Sequence, residues 1–124
     1  NGKTAFVNFL EEEHPFGFGS TEFIVMRPKN GISPQFVYCL ARYPYFRSYA
    51  IKSMVGSSGR QRVQLNMLKA YEIAKPDQSV MDRFDQITLA LFDTIKKNAK
   101  ETQVLSQICD SLLPRLMSGR LRVK

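Results

Sequence analysis

Arg60, Gln61 and Arg62 follow directly on the tetrad Gly56-Ser57-Ser58-Gly59. A guanidinium group grips phosphate, or binds guanine through two parallel hydrogen bonds, and a glutamine amide does the equivalent with adenine. Serine hydroxyls donate to phosphate oxygens. The two glycines let the backbone turn tightly and bring its amides close to another molecule. In an extended chain Arg60 and Arg62 share one side and Gln61 takes the other. The chemistry on offer is therefore polyanion binding with a capacity for base reading. The same residues also suit a surface loop whose arginines satisfy a carbonyl or a carboxylate of their own protein.

The surrounding charge favours the first use. The chain carries a formal +7 over 124 residues. From Arg42 to Lys75 there are seven basic residues and one acid, Glu72, so this stretch holds +6 of it. A concentrated excess of that kind suits a nucleic-acid partner, although a solvated, solubility-biased surface has the same composition. Arg47 and Lys52 lie just before the glycine-rich stretch and are further candidates for phosphate.

Other chemistry finds little footing. The one histidine, His14, sits in an acidic turn, where a solvated surface role is the ordinary one. Residues 17–22, "GFGSTE", have two glycines in GxG spacing but no third, and a strand is expected where a dinucleotide site needs a helix. There is no phosphate-binding loop, zinc-protease helix or nucleophile elbow. Glu11, Glu12 and Glu13 are consecutive and point to different sides, so no metal-ligand cluster is formed. Cys39 and Cys109 are too few and too far apart for a disulfide framework. Each falls on an apolar helical face, and buried, reduced thiols in a cytoplasmic protein are expected.

The elements that would carry the arginine-rich stretch can be read in outline. Residues 3–9, "KTAFVNF", and 20–27, "STEFIVMR", alternate loosely and predict a strand–turn–strand hairpin. Ser33 as cap and Pro34 at the first helical position predict a helix, broken at Tyr43-Pro44. Pro44 opens a second helix bearing Phe46, Tyr49, Ala50 and Met54 on one face. After the glycines, Asn66 is expected to cap a short turn, and residues 70–74 to form a last strand closed by Lys75-Pro76. The fold class is α+β. Residues 1–76 form a small mixed region, and residues 77–124 are of a different texture.

That second part predicts one long helix, capped by Asp77 or Ser79 and running without Pro or Gly until Pro114. Phe84, Thr88, Leu91, Ile95, Asn98, Thr102, Leu105, Cys109, Leu112 and Leu116 are spaced by alternating steps of four and three. That is a heptad seam over more than four heptads. A seam this long exceeds what so small a neighbour can cover, so pairing with a second long helix is expected. In an antiparallel pair of identical helices, Asn98 of one faces Thr102 of the other, and a buried Asn fixes register. Drift of these two positions toward solvent is the other outcome. Pro114 is expected to end or kink the helix, and Ser118-Gly119 to stop it.

No apolar run reaches the roughly 20 residues of a membrane span. The start, Asn1-Gly2-Lys3, has neither a Met nor a leader pattern and reads as a piece of something longer.

In order along the chain, "FGSTEFIVMRP" at 18–28, a helix pair, "SMVGSSGRQRV" at 53–63, a strand closing in Pro, and a long helix ending "LLPRLMSGRL" at 112–121 resemble the DNA-specificity subunit of type I restriction–modification enzymes. The resemblance implies that residues 1–76 are the C-terminal portion of a target-recognition domain and that residues 77–124 are its spacer helix with a basic tail. It implies a non-catalytic subunit whose paired helices set the gap between half-sites. The implied partners are double-stranded DNA, modification subunits that bind S-adenosylmethionine and methylate adenine, and a motor and nuclease subunit. No cofactor is expected in this chain, and a protein-interaction module without a DNA role is the rival reading. On this view Ser57, Ser58, Arg60, Gln61 and Arg62, with Lys52 and Arg47, meet DNA. Phe84, Leu91, Ile95, Asn98, Thr102, Leu105 and Leu112 form the helix-pairing seam, through which the isolated chain is expected to form an antiparallel homodimer.

Overall fold

The computed structural model describes residues 3–10, 12–57, 59 and 61–122. Among these, four helices and one small sheet follow in the order α1 (Pro34–Arg42), α2 (Pro44–Lys52), β1 (Met54–Val55), β2 (Arg62–Val63), α3 (Leu65–Lys69) and α4 (Gln78–Met117). The class is α+β. The chain divides within α4 into two compact units, Asn1–Leu89 and Ala90–Lys124.

The helix pair forms as its local signals demand. Ser33 Oγ accepts from the Phe36 N–H at 3.3 Å, and Pro34 stands at the first helical position. Tyr43 takes an extended backbone (φ −62°, ψ 129°), as a residue before proline must, and Pro44 starts the next helix. The first unit is held by a thin, aromatic core. Phe46 is 6% exposed and Met81 1%. Phe46 meets Tyr71 edge-on at 5.0 Å between ring centroids, Tyr49 meets the same ring at 5.0 Å, and Phe36 meets Phe84 edge-on at 5.7 Å. Phe84 thus ties the start of α4 to α1 within this unit, and the hydroxyl of the buried Thr88 is satisfied by the Phe84 carbonyl at 2.8 Å.

Several expectations change. The hairpin over 3–9 and 20–27 does not form: among the described residues neither stretch is a strand. A turn takes the place of the second strand's start, with the Phe23 N–H on the Ser20 carbonyl at 3.0 Å and the Glu22 N–H on Ser20 Oγ at 3.2 Å. Serine competes with a ladder in this way, and a lone two-stranded ribbon has too few neighbours to resist it. Phe9, Phe16, Phe18, Phe23 and Val25 stay exposed. Residues 70–74 are not a strand either. The short helix α3 begins at Leu65, with Gln64 rather than Asn66 at its cap. Cys39 and Cys109 are both exposed, not buried. Cys39 borders an apolar depression lined also by Phe36, Leu40, Ile73 and Phe84, and Cys109 lies on the exposed face of α4.

α4 outruns the expected limit at Pro114 and continues to Met117. A proline this near the end costs one hydrogen bond and leaves the following turn intact, with the Ser118 N–H on the Pro114 carbonyl at 3.1 Å. Gly119, at φ +68°, supplies the left-handed stop, and its N–H reaches the Leu116 carbonyl at 3.1 Å. The helix has 40 residues, about 60 Å at the standard rise. It is not apolar enough to cross a membrane, and no other helix of the described residues is.

Candidate nucleic-acid interface

The glycine-rich stretch is the tip of a hairpin. β1 and β2 are antiparallel, with Met54 opposite Val63 and Val55 opposite Arg62. The backbone leaves β1 through Gly56 at φ +125° and passes Gly59 at φ +85°. Both values lie where a side chain would be strained, which is why two glycines are needed here. The base of the hairpin is anchored at Ser53, which is buried and donates from Oγ to the Ala50 carbonyl at 2.8 Å. A fixed base and an exposed tip result.

The structure exposes Ser57, Gln61 and Arg62 on that tip, while Ser58 and Arg60 lie outside the described residues. Lys52, the last residue of α2, and Arg47, in its first turns, are both exposed. Arg62 is not left alone. Its Nη2 lies 2.6 Å from Glu22 Oε1, and the two side chains are 73% and 52% exposed. The Ser20–Phe23 turn is what presents Glu22 to the hairpin. Arg62 thus meets a carboxylate of its own chain, one of the two uses its sequence context allowed, while its side chain stays largely exposed.

A second cationic feature lies on the helix pair. Arg42, Pro44, Arg47, Ser48 and Ile51 line an open depression of about 230 Å³. Arg42 Nη1 donates to Tyr38 Oη at 3.2 Å, and its guanidinium carbon lies 5.7 Å from the centre of the Tyr38 ring. On α4, the seam positions from Leu91 onward face solvent, with Leu91 57%, Ile95 59% and Leu105 54% exposed. Asn98 and Thr102 are exposed with them. Among the described residues no cluster of three His, Cys, Asp or Glu could hold a metal.

No family model matches the chain, and no solved structure matches it. Curated proteins do. The specificity subunit of the type I restriction enzyme MjaIX from Methanocaldococcus jannaschii is 28% identical over 124 residues, which is 98% of this chain and 27% of that protein. The specificity subunit of the type I restriction enzyme HindI from Haemophilus influenzae is 24% identical over 94 residues, 76% of this chain and 20% of that protein. The chain is related to type I specificity subunits. It spans about a quarter of their length, and the match falls in their C-terminal part.

Two features of the site in this specificity-subunit relative lie outside the residues singled out by sequence. Glu22 is 40 residues from Arg62, and nothing local links them. Tyr38 and Arg42 stand at i and i+4 of one helix, a spacing that puts two side chains in contact, so that pair does leave a signal in the sequence.

Proposed function

We propose that the chain is the C-terminal part of a DNA-recognition subunit in a type I restriction–modification complex of the cytoplasm. The hairpin tip meets double-stranded DNA through Ser57, Ser58, Arg60, Gln61 and Arg62. Arg47 and Lys52 approach phosphates. The subunit performs no reaction of its own. It directs adenine methylation by modification subunits, where S-adenosylmethionine binds, and cleavage by a motor and nuclease subunit. α4 is the spacer. It pairs antiparallel with a second helix, and in the isolated chain that helix belongs to another copy.

The observation that carries this reading is similarity to specificity subunits, over 98% of the chain for one and 76% for another. The glycine-hinged, cationic tip and the exposed seam of α4 supply a device for each half of the task. Spacer length then sets half-site spacing: one added heptad lengthens the helix by about 10 Å, roughly three base pairs of duplex.

Replacing Arg60 and Arg62 together by Ala in the assembled complex tests the tip. Loss of two phosphate contacts lowers the slope of log K against log salt by about 1.8. Loss of base contacts costs on the order of 1–3 kcal/mol each and relaxes sequence preference. Unchanged affinity, slope and preference would remove the tip from the interface.

A further inference from the structure

The corner between α1 and α2 gathers positive charge in a way the hairpin does not. Pro44, Arg47, Ser48 and Ile51 are spaced i, i+3, i+4, i+7 and so form one face of α2. Arg42 reaches that face from the last turn of α1, across the extended residue Tyr43. The result is a concave, solvent-open surface of about 230 Å³ with two guanidinium groups, one hydroxyl and an apolar floor. No lining residue is acidic, and among the described residues neither arginine makes an ion pair. Arg62, by contrast, has Glu22.

Arg42 is also held in place. Its Nη1 is bonded to Tyr38 Oη and its guanidinium carbon lies 5.7 Å from the centre of the Tyr38 ring. Most of its five N–H donors are left to point elsewhere. A guanidinium fixed before binding loses less freedom on meeting an oxyanion. The depression is open to solvent on a helix face, a setting suited to the outer phosphate surface of a duplex. Two guanidinium groups and a hydroxyl lining one depression suit a group with several anionic oxygens, such as the backbone of a duplex.

We propose that Arg42, Arg47 and Ser48 seat one stretch of DNA backbone, as a sequence-independent phosphodiester clamp distinct from the hairpin tip. The proposal rests on the DNA-recognition reading. Within that reading it divides the labour: the tip reads, and the helix corner holds. Arg42 and Arg47 bind phosphate oxygens, Ser48 donates to one of them, and Tyr38 positions Arg42.

The test uses the assembled complex that contains this chain, with Arg42→Ala, Arg47→Ala, the double variant, the double Lys variant and Tyr38→Phe. Binding is measured by fluorescence anisotropy to a target duplex and to a scrambled duplex, over a salt range of roughly 50 to 300 mM. The double Ala variant is expected to lose about 1.8 from the salt slope, with affinity falling on the order of ten- to hundredfold near 0.1 M salt. The fall is equal on both duplexes, so the preference ratio holds. The double Lys variant keeps the charge and recovers most of the slope, and Tyr38→Phe weakens both duplexes alike by a smaller factor. An unaltered complex that prefers its target, with a double Ala variant matching it in affinity and slope, overturns the clamp and spares the DNA-recognition reading. A loss confined to the target duplex overturns it too, because the site would then read bases. So does loss of modification-subunit binding with DNA affinity intact, because the corner would then grip an acidic protein surface. An unaltered complex with no target preference overturns the reading beneath it.

Discussion

Replacing Glu22 by Gln separates the two roles of Arg62. The substitution keeps the size of the side chain and an acceptor oxygen, and removes one negative charge beside the tip. The ion pair it abolishes is short, at 2.6 Å, but its side chains are 73% and 52% exposed. Two unit charges about 4 Å apart in water attract by about 1 kcal/mol, and ordering two long side chains offsets part of that. Measured pairs of this kind contribute about 0.2–1 kcal/mol. That is the cost Arg62 meets when it leaves Glu22 for a phosphate or a base. Glu22→Gln should therefore tighten DNA binding by about 1.4- to 5-fold at low salt. The gain should fade as salt rises and the screening length falls toward about 3 Å at 1 M. In an Arg62→Ala background the same substitution should gain little, since no pair remains to be released. Anisotropy titrations of the four proteins in this cycle give the coupling directly. If Glu22→Gln weakens binding as much as Arg62→Ala does, Glu22 is holding the arginine in its binding posture, and the two do not compete.

Two further outcomes are expected. Phe46→Ala should cost the first unit about 3–5 kcal/mol, because Phe46 is one of only two hydrophobic side chains buried among the described residues and Tyr71 rests on its edge; urea unfolding followed by tyrosine fluorescence measures it. Cys39 and Cys109 are both exposed and should both react with maleimide in dilute protein. Raising the concentration should protect Cys109, which lies in the seam, and leave Cys39 reactive; mass spectrometry of the labelled peptides reads this, and equal rates at every concentration would argue against pairing through the seam.

What could be read in advance was local. Ser33 and Pro34, the break at Tyr43-Pro44, and the stop at Gly119 each act through the backbone of a few neighbouring residues, and each appears where its chemistry places it. The heptad spacing of α4 likewise needs only one helix to be visible. The rest depended on what lies across space. Alternation in residues 3–9 and 20–27 describes a strand's faces but not the neighbours that would complete its ladder, and without those the Ser20 turn prevails. Apolar periodicity at Cys39 and Cys109 marked the faces correctly, but whether a face is covered is not a property of its own sequence. The Arg62–Glu22 pair is of the same kind, a meeting of a turn with strand β2 that no local rule anticipates.

The proposed seam of α4 includes polar residues whose hydrogen bonding bears on how it could pair. Three seam or near-seam threonines satisfy themselves: Thr88 Oγ1 donates to the Phe84 carbonyl at 2.8 Å, Thr94 to Ala90 at 2.9 Å, and Thr102 to Asn98 at 2.8 Å. Each hydroxyl proton is thereby used within the helix, and what remains is an oxygen that can still accept. Thr88 is already buried in this state, which demonstrates that such a threonine tolerates cover. Asn98 differs, because its amide carries two donors that its own helix does not take up in this way. Placed in the proposed antiparallel register, Asn98 of one helix comes against Thr102 of the other, a donor against an oxygen whose own proton is committed elsewhere. Shifting the register by one heptad would set the Asn98 amide against Ile95 or Cys109, with no comparable acceptor. If α4 pairs as proposed, the two polar positions weaken the seam in general and favour one alignment in particular, as a spacer of fixed length would require.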